Sequence, residues 1–245
     1  MTTRRILATS GGFLAAPSKH ENIRRPGGLF LDAVRLSGKE RPRVLFVMTA
    51  SADNAQYLAM SYQACRDLSV DPDHLVVFPY PNQTPAEAVG QADVVWVGGG
   101  SVANLLALWR VHGVDEALRD AWERGVVLAG VSAGSICWHV GGTTDSFGLD
   151  LRLVTGGLGL LPYGNGVHYD SEEQRRPLLQ SLVADGSLPL SYGTDDRVGI
   201  LYEGTDPVEV LTDYPVDPAM GPAAYRVERD GDSAVETRLA PGRIA

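Results

Sequence analysis

Three short apolar runs constrain most strongly what this chain can become. Residues 43–48 (RVLFVM), 93–97 (DVVWV) and 126–131 (VVLAGV) are too short for core helices and too continuous for half-exposed strands. Such runs belong to strands buried on both faces of a parallel sheet. Longer stretches with helical spacing lie between them. Residues 54–68 carry Leu58, Tyr62, Cys65 and Leu68 at helical intervals. Residues 84–92 open with Thr84 and Glu87 as a capping box, and residues 101–111 and 114–124 also read as helices. Residues 5–9 and 74–78 are two further strands. This β-α-β-α rhythm predicts an α/β fold, a mostly parallel sheet flanked by helices on both faces.

The last third changes character. Residues 172–184 read as a helix, but 188–192, 197–202, 208–211 and 224–229 are short strands at close spacing. They are expected as antiparallel strands added at the sheet edge near the C-terminus. Linkers, low-complexity tracts and internal repeats are lacking, so a single domain over 1–245 is expected.

Composition removes several functions. The chain has 245 residues and a formal net charge of −9, which disfavours nucleic acid and anionic membranes as partners. Its two cysteines, Cys65 and Cys137, make neither a disulfide scaffold nor a zinc site. No metal or organic cofactor is expected. No run approaches the roughly 18 apolar residues of a membrane span. Thr2-Thr3-Arg4-Arg5 has a twin-arginine look. The apolar residues after it are interrupted by Thr9, Ser10, Gly11 and Gly12, so they read as a strand entering a turn. A cytoplasmic location follows as the expectation, and the sequence is compatible with a homodimer.

The chemistry concentrates at Gly130-Val131-Ser132-Ala133-Gly134. This G-x-S-x-G sequence sits between a buried strand and a helical pattern, the setting in which it forms a nucleophile elbow. The turn forces the serine into a strained conformation, and small residues two before and two after leave room for it. The Ala133 N–H then faces the same space as the hydroxyl. A serine needs a base. Among the five histidines, His20 lies in a polar loop, His74 opens a strand, and His112 ends a helix. His139 falls seven residues after Ser132 on what reads as the same helix, roughly 10 Å further along it. His168, in the glycine-rich stretch 164–170, is the expected base. Candidates for the acid that orients it are Asp145, Asp170, Asp195 and Asp196. Gly98-Gly99-Gly100-Ser101 follows the DVVWV strand without phosphate-loop spacing. It is expected to give an oxyanion hole from the Gly100 and Ala133 N–H groups. The bland alternative is a tight strand-to-helix turn around Ser101 and Asn104.

Taken in order, GGGSVANLL, GVSAGS, TTD, VHYD, EEQRRPLLQSL and GTDD resemble the peptidase E (aspartyl dipeptidase) family, whose relatives include cyanophycinase. The resemblance covers roughly residues 5 to 205. It implies a class I glutamine amidotransferase-like fold and a serine peptidase acting on short peptides, including dipeptides with N-terminal Asp. By motif, it places the nucleophile on Ser132, the histidine on His168, and the oxyanion donors on Gly100 and Ala133. The acid falls on Asp196, where family members commonly carry glutamate, or on Asp145 after the Thr-Thr pair. Arg175, Arg176 and Arg197 are candidate cations for an aspartyl side chain, although each reads first as a surface or ion-pair arginine. An esterase or amidase on the same site, and a noncatalytic binding module, are the rival readings. An amidotransferase proper would carry cysteine at the elbow, whereas Cys137 lies five residues beyond it.

Overall fold

The computed structural model describes residues 3–15 and 24–244. The strands are β1 (Arg5–Thr9), β2 (Phe13–Ala15), β3 (Arg24–Pro26), β4 (Arg43–Val47), β5 (Asp71–Leu75), β6 (Val94–Val97), β7 (Val127–Val131) and β8 (His139–Thr144). They continue with β9 (Arg152–Thr155), β10 (Leu161–Gly166), β11 (Ser191–Thr194), β12 (Val198–Glu203), β13 (Asp206–Thr212), β14 (Ala224–Asp230), β15 (Ser233–Leu239) and β16 (Gly242–Arg243). The helices are α1 (Gly28–Leu36), α2 (Ala55–Ala64), α3 (Pro85–Gly90), α4 (Val102–His112), α5 (Val114–Glu123), α6 (Ala133–Ile136) and α7 (Arg175–Ala184).

An eight-stranded sheet has the order β16-β13-β12-β1-β7-β6-β4-β5. Strands β1, β7, β6, β4 and β5 are mutually parallel, and they include all three apolar runs. Alternate residues face opposite layers. Val44, Phe46, Trp96 and Ala129 pack with Phe30 and Ala33 of α1 and with Cys65 just after α2. Leu45, Val47, Val95 and Leu128 pack with residues of α3, α4 and α5, including Val89, Leu105 and Leu118. Helices therefore cover both faces, as the rhythm predicts. Thr84 caps α3: its Oγ1 accepts from Glu87 N–H at 3.3 Å and donates to Glu87 Oε2 at 2.6 Å. Among the described residues, no helix is long and apolar enough to cross a membrane.

The C-terminal expectation needs correction. Strands β12 and β13 do extend the β1 edge antiparallel. Strands β11 and β14, however, join β15, β10, β8 and β9 in a separate six-stranded sheet. Strands β8, β9 and β10 carry little apolar alternation and several glycines. Those glycines admit close backbone approach: a Cβ on Gly142 would sit 2.1 Å from Asn165 O, and one on Gly141 would sit 2.3 Å from Val154 O. A side-chain pattern cannot announce strands held together this way.

The second correction concerns the helix after Ser132. It ends at Ile136, and His139 opens β8 instead of continuing it. Residues 140–144 (VGGTT) are poor helix formers. The chain is captured by pairing instead, as Leu158 N–H donates to Cys137 O at 2.8 Å and Leu161 N–H to Trp138 O at 3.0 Å.

Candidate active site

Strand β7 delivers Ser132 at its carboxyl end, with φ 58° and ψ −114°. Positive φ is costly for a residue with a side chain and persists only where surrounding structure enforces it. Here the enforcement is steric. A Cβ on Gly130 would lie 2.4 Å from Gly134 O, and one on Gly134 would lie 2.3 Å from Val97 O. The elbow closes against β6 because both positions are bare. Ser132 N–H donates to Thr9 O on β1 at 3.0 Å, while Ser132 O accepts from Ser135 and Ile136 N–H to start α6.

The glycine turn after β6 lies against the serine. A Cβ on Gly99 would be 3.7 Å from Ser132 Oγ. Gly98 N–H is taken by Val47 O and Ser101 N–H by Ala50 O. Gly100, with φ 133°, is pressed on Ala50 O so closely that a Cβ would sit 2.2 Å away. Among the described residues, neither Gly100 N–H nor Ala133 N–H donates to a protein acceptor. Ser101 also caps α4 through Asn104 N–H, as the bland reading of this turn expects.

His168 follows β10 and Asp196 follows β11, so both arrive from the six-stranded sheet. The stretch 164–166 is the end of β10, not loop, and His168 itself has φ 52°. Its Nδ1 lies 2.5 Å from Asp196 Oδ1. A carboxylate only accepts, so Nδ1 carries the proton and Nε2 is left as the acceptor a base needs. Among the described residues no hydrogen bond joins Ser132 Oγ to the imidazole. The two residues are linked instead through the end of β1: Ser132 N–H to Thr9 O, and His168 N–H to Ser10 Oγ at 3.0 Å.

The other candidate acids sit elsewhere. Asp195 is buried and accepts from Ala223 N–H and Tyr225 OH, tying the β11 end to β14; burial raises its pKa. Asp170 accepts from Asp196 N–H at 2.8 Å, so it holds the backbone of the acid rather than the ring. Asp145 is exposed on the turn after β8, next to Ser146, whose hydroxyl accepts from Ala103 N–H. Its carboxylate makes no hydrogen bond to His168.

The remaining histidines lie apart. His139 is fully buried, its Nδ1 is 2.9 Å from Ser135 O, and burial pushes its pKa down to about 4. His74 is near the end, not the start, of β5 and is 2.8 Å from Tyr62 OH through Nδ1. His112 ends α4, and His20 lies outside the described residues. Cys137 is buried, and burial pushes its thiol pKa well up, as suits a packing residue.

A cleft of about 810 Å³ lies beside the elbow, with Val131 among its lining residues. His168, Asp196 and the three glycines of residues 98–100 line one part of it, and Phe13, Met48, Tyr57, Met60 and Trp96 form an apolar wall. Of the three arginines the sequence offers as candidate cations, only Arg197 lines the cleft, its Nη1 donating to Tyr214 OH at 2.7 Å. Arg175 is buried and bound to Thr143 O and Glu172, and Arg176 lies over the Tyr169 and Tyr225 rings. A second lining cation, Arg24 on β3, was not singled out in the sequence. The β2–β3 hairpin that carries it has no chemical motif, and only tertiary folding brings it to the site. Among the described residues, no group of three or more His, Cys, Asp or Glu side chains is placed to hold a metal ion.

The sequence pattern described as "Peptidase family S51" matches residues 7–210. A Bacillus subtilis protein described as "Uncharacterized peptidase YgaJ" is 37% identical over 226 residues, covering 91% of this chain and 92% of that protein. "Peptidase E" of Shewanella denitrificans is 28% identical over 152 residues, 57% of this chain and 62% of that one. Among solved structures, a peptidase from an acI-B1 actinobacterium superposes with a TM-score of 0.69 at 16% identity, covering 99% of this chain and 97% of that chain. A protein described as a putative peptidase E from Listeria monocytogenes EGD-e gives 0.60 at 15% identity, covering 88% and 100%. At these identities the superpositions speak for the fold.

Proposed function

The chain belongs to peptidase family S51, a family of serine peptidases, and on that premise we propose that it hydrolyses short peptides through Ser132, His168 and Asp196. Ser132 Oγ attacks the scissile carbonyl. His168 Nε2 takes the hydroxyl proton and later returns it to the leaving amine, while Asp196 fixes the tautomer and stabilises the charged ring. Gly100 and Ala133 N–H groups receive the oxyanion. The observation that carries this reading is the 2.5 Å contact between His168 Nδ1 and Asp196 Oδ1, beside a serine held at positive φ. The loose Ser132–His168 relation suits a free enzyme, because catalytic hydrogen bonds commonly tighten only with substrate bound.

Dipeptides with N-terminal Asp are the substrates of choice under this reading. The resemblance to the aspartyl dipeptidase family suggests it, and Arg197 and Arg24 supply cations at the cleft wall for an acidic side chain. The test is turnover of an Asp-X dipeptide panel beside simple aryl esters. The wild-type protein is expected to cleave the dipeptides, and Ser132→Ala to lower kcat by about 10⁴-fold or more with an unchanged melting temperature. Peptide cleavage that survives Ser132→Ala, or cleavage of esters alone, would overturn the proposal.

A further inference from the structure

Among the described residues, five non-glycine positions have positive φ, and three of them, Ser132, His168 and Arg197, surround the end of β1. Ser132 and His168 are the proposed nucleophile and base, and Arg197 directly follows the proposed acid. Backbone strain of this kind endures only where neighbours over-determine it. The neighbours are Thr9 and Ser10. Thr9 O accepts Ser132 N–H at 3.0 Å. Ser10 N–H donates to Val198 O at 2.8 Å, and Ser10 O accepts Arg197 N–H at 2.9 Å. Two adjacent residues thus hold the nucleophile on one side and the chain just beyond Asp196 on the other.

The Ser10 side chain completes the arrangement. It is 4% exposed. A hydroxyl has one proton and two lone pairs. Its oxygen accepts His168 N–H at 3.0 Å, and the group also meets Thr194 O at 3.1 Å and Thr194 Oγ1 at 2.7 Å. Thr194 O also accepts Tyr169 N–H at 3.1 Å, so the segments carrying the base and the acid are locked together around this one hydroxyl. An alanine here would remove the side-chain acceptor of His168 N–H at the point where its backbone is strained.

We propose that Ser10 is a positioning residue for the catalytic histidine. Its hydroxyl holds His168 in the backbone conformation that sets the ring against Asp196 and in register with Ser132. The proposal rests on the serine-peptidase reading of the site, but it concerns a geometry that can be observed without turnover.

The experiment compares the wild-type full chain with Ser10→Ala, Ser10→Thr and Thr194→Val by steady-state kinetics on an Asp-X dipeptide. Proton NMR of the far-downfield His168 Nδ1–H resonance is recorded on each. Ser10→Ala is expected to lower kcat about 30-fold, a part of the roughly 10²–10⁴ that general acid–base catalysis supplies, with KM within about twofold. The downfield resonance should move upfield or vanish. Ser10→Thr keeps the hydroxyl and should recover most of kcat and the resonance. Should Ser10→Ala fail to fold, Thr194→Val, which removes only the outer partner, is expected to lower kcat about threefold and shift the resonance. Val89→Ala, a core change in α3, should lower the melting temperature while leaving kcat and the resonance alone. Wild-type kcat and an unmoved resonance in Ser10→Ala, or in Thr194→Val where that variant stands in, would overturn the proposal. If the wild-type protein itself neither cleaves peptides nor reacts with a serine reagent, the peptidase reading fails; the resonance still decides whether Ser10 holds the histidine.

Discussion

Ser132 is set mainly by contiguous structure: a buried strand, a turn bare of side chains at Gly130 and Gly134 that closes against β6, and a four-residue helix. His168 and Asp196 arrive differently. They follow β10 and β11, neighbouring strands of the other sheet, and Asp196 sits where the chain leaves that sheet for β12 in the eight-stranded one. Their meeting depends on pairings between residues far apart in the chain, and on the end of β1 that touches both halves. One half of the site is thus set by a turn, and the other by the docking of two sheets. Damage to the first should stay local, whereas damage to the second should reach the chemistry from a distance.

The largest effect should separate the two acids named from the sequence. Asp196→Asn removes the charge that orients and stabilises His168, and kcat is expected to fall about 10³-fold or more. Asp145→Asn should leave kcat within about twofold, because that carboxylate is exposed and unbonded to the ring. Steady-state kinetics on one dipeptide decides it, and a larger loss at Asp145 would reverse the assignment.

Acid should discriminate next, through His139 on β8. Burial lowers its pKa from 6.5 to about 4 in the folded chain. Between those values the unfolded chain binds a proton that the folded one refuses. The stabilising contribution is present above pH 6.5 and is lost as pH falls toward 4, by about 3 kcal/mol. Urea unfolding at pH 7 and pH 4.5 should show this loss in the wild type and a smaller one in His139→Gln. Equal slopes in both would remove His139 as the cause.

Gly134→Ala probes the local half. Its Cβ would meet Val97 backbone, so stability should fall by about 2 kcal/mol and the elbow should be displaced. Thermal unfolding measures the first, and loss of kcat the second; a silent Gly134→Ala would mean that the turn is not steric in origin. The smallest effect concerns substrate. Arg197→Ala should raise KM for Asp-X dipeptides about tenfold with kcat nearly constant, the mark of lost ground-state binding. A KM that stays put would move the acidic-residue contact to Arg24.

This contrast also explains what the sequence disclosed. The parallel strands and the helices on both faces were legible because buried runs and helical spacing are local signals, and Thr84 with Glu87 showed where α3 begins. The elbow was legible because its steric demand appears as glycines at fixed offsets. The second sheet was not, since β8 and β10 are joined through glycines that bring backbones together without an apolar pattern. That also made residues 137–139 read as helix. His168 was singled out because few histidines competed, yet Ser10 passed unnoticed: its bonds run to His168 and Thr194, both more than 150 positions away. Arg175 is the ion-pair arginine that the sequence favours, but its burial against Thr143 O was not legible, because sequence shows a charge and not the carbonyl that meets it.

The central claim is tested most directly by treating the protein with a serine-reactive fluorophosphonate and mapping the adduct by peptide mass spectrometry. The account predicts a single adduct on Ser132 that forms in the wild type and is lost in His168→Ala. An adduct on another serine, or labelling of Ser132 at the same rate without the imidazole, would contradict it.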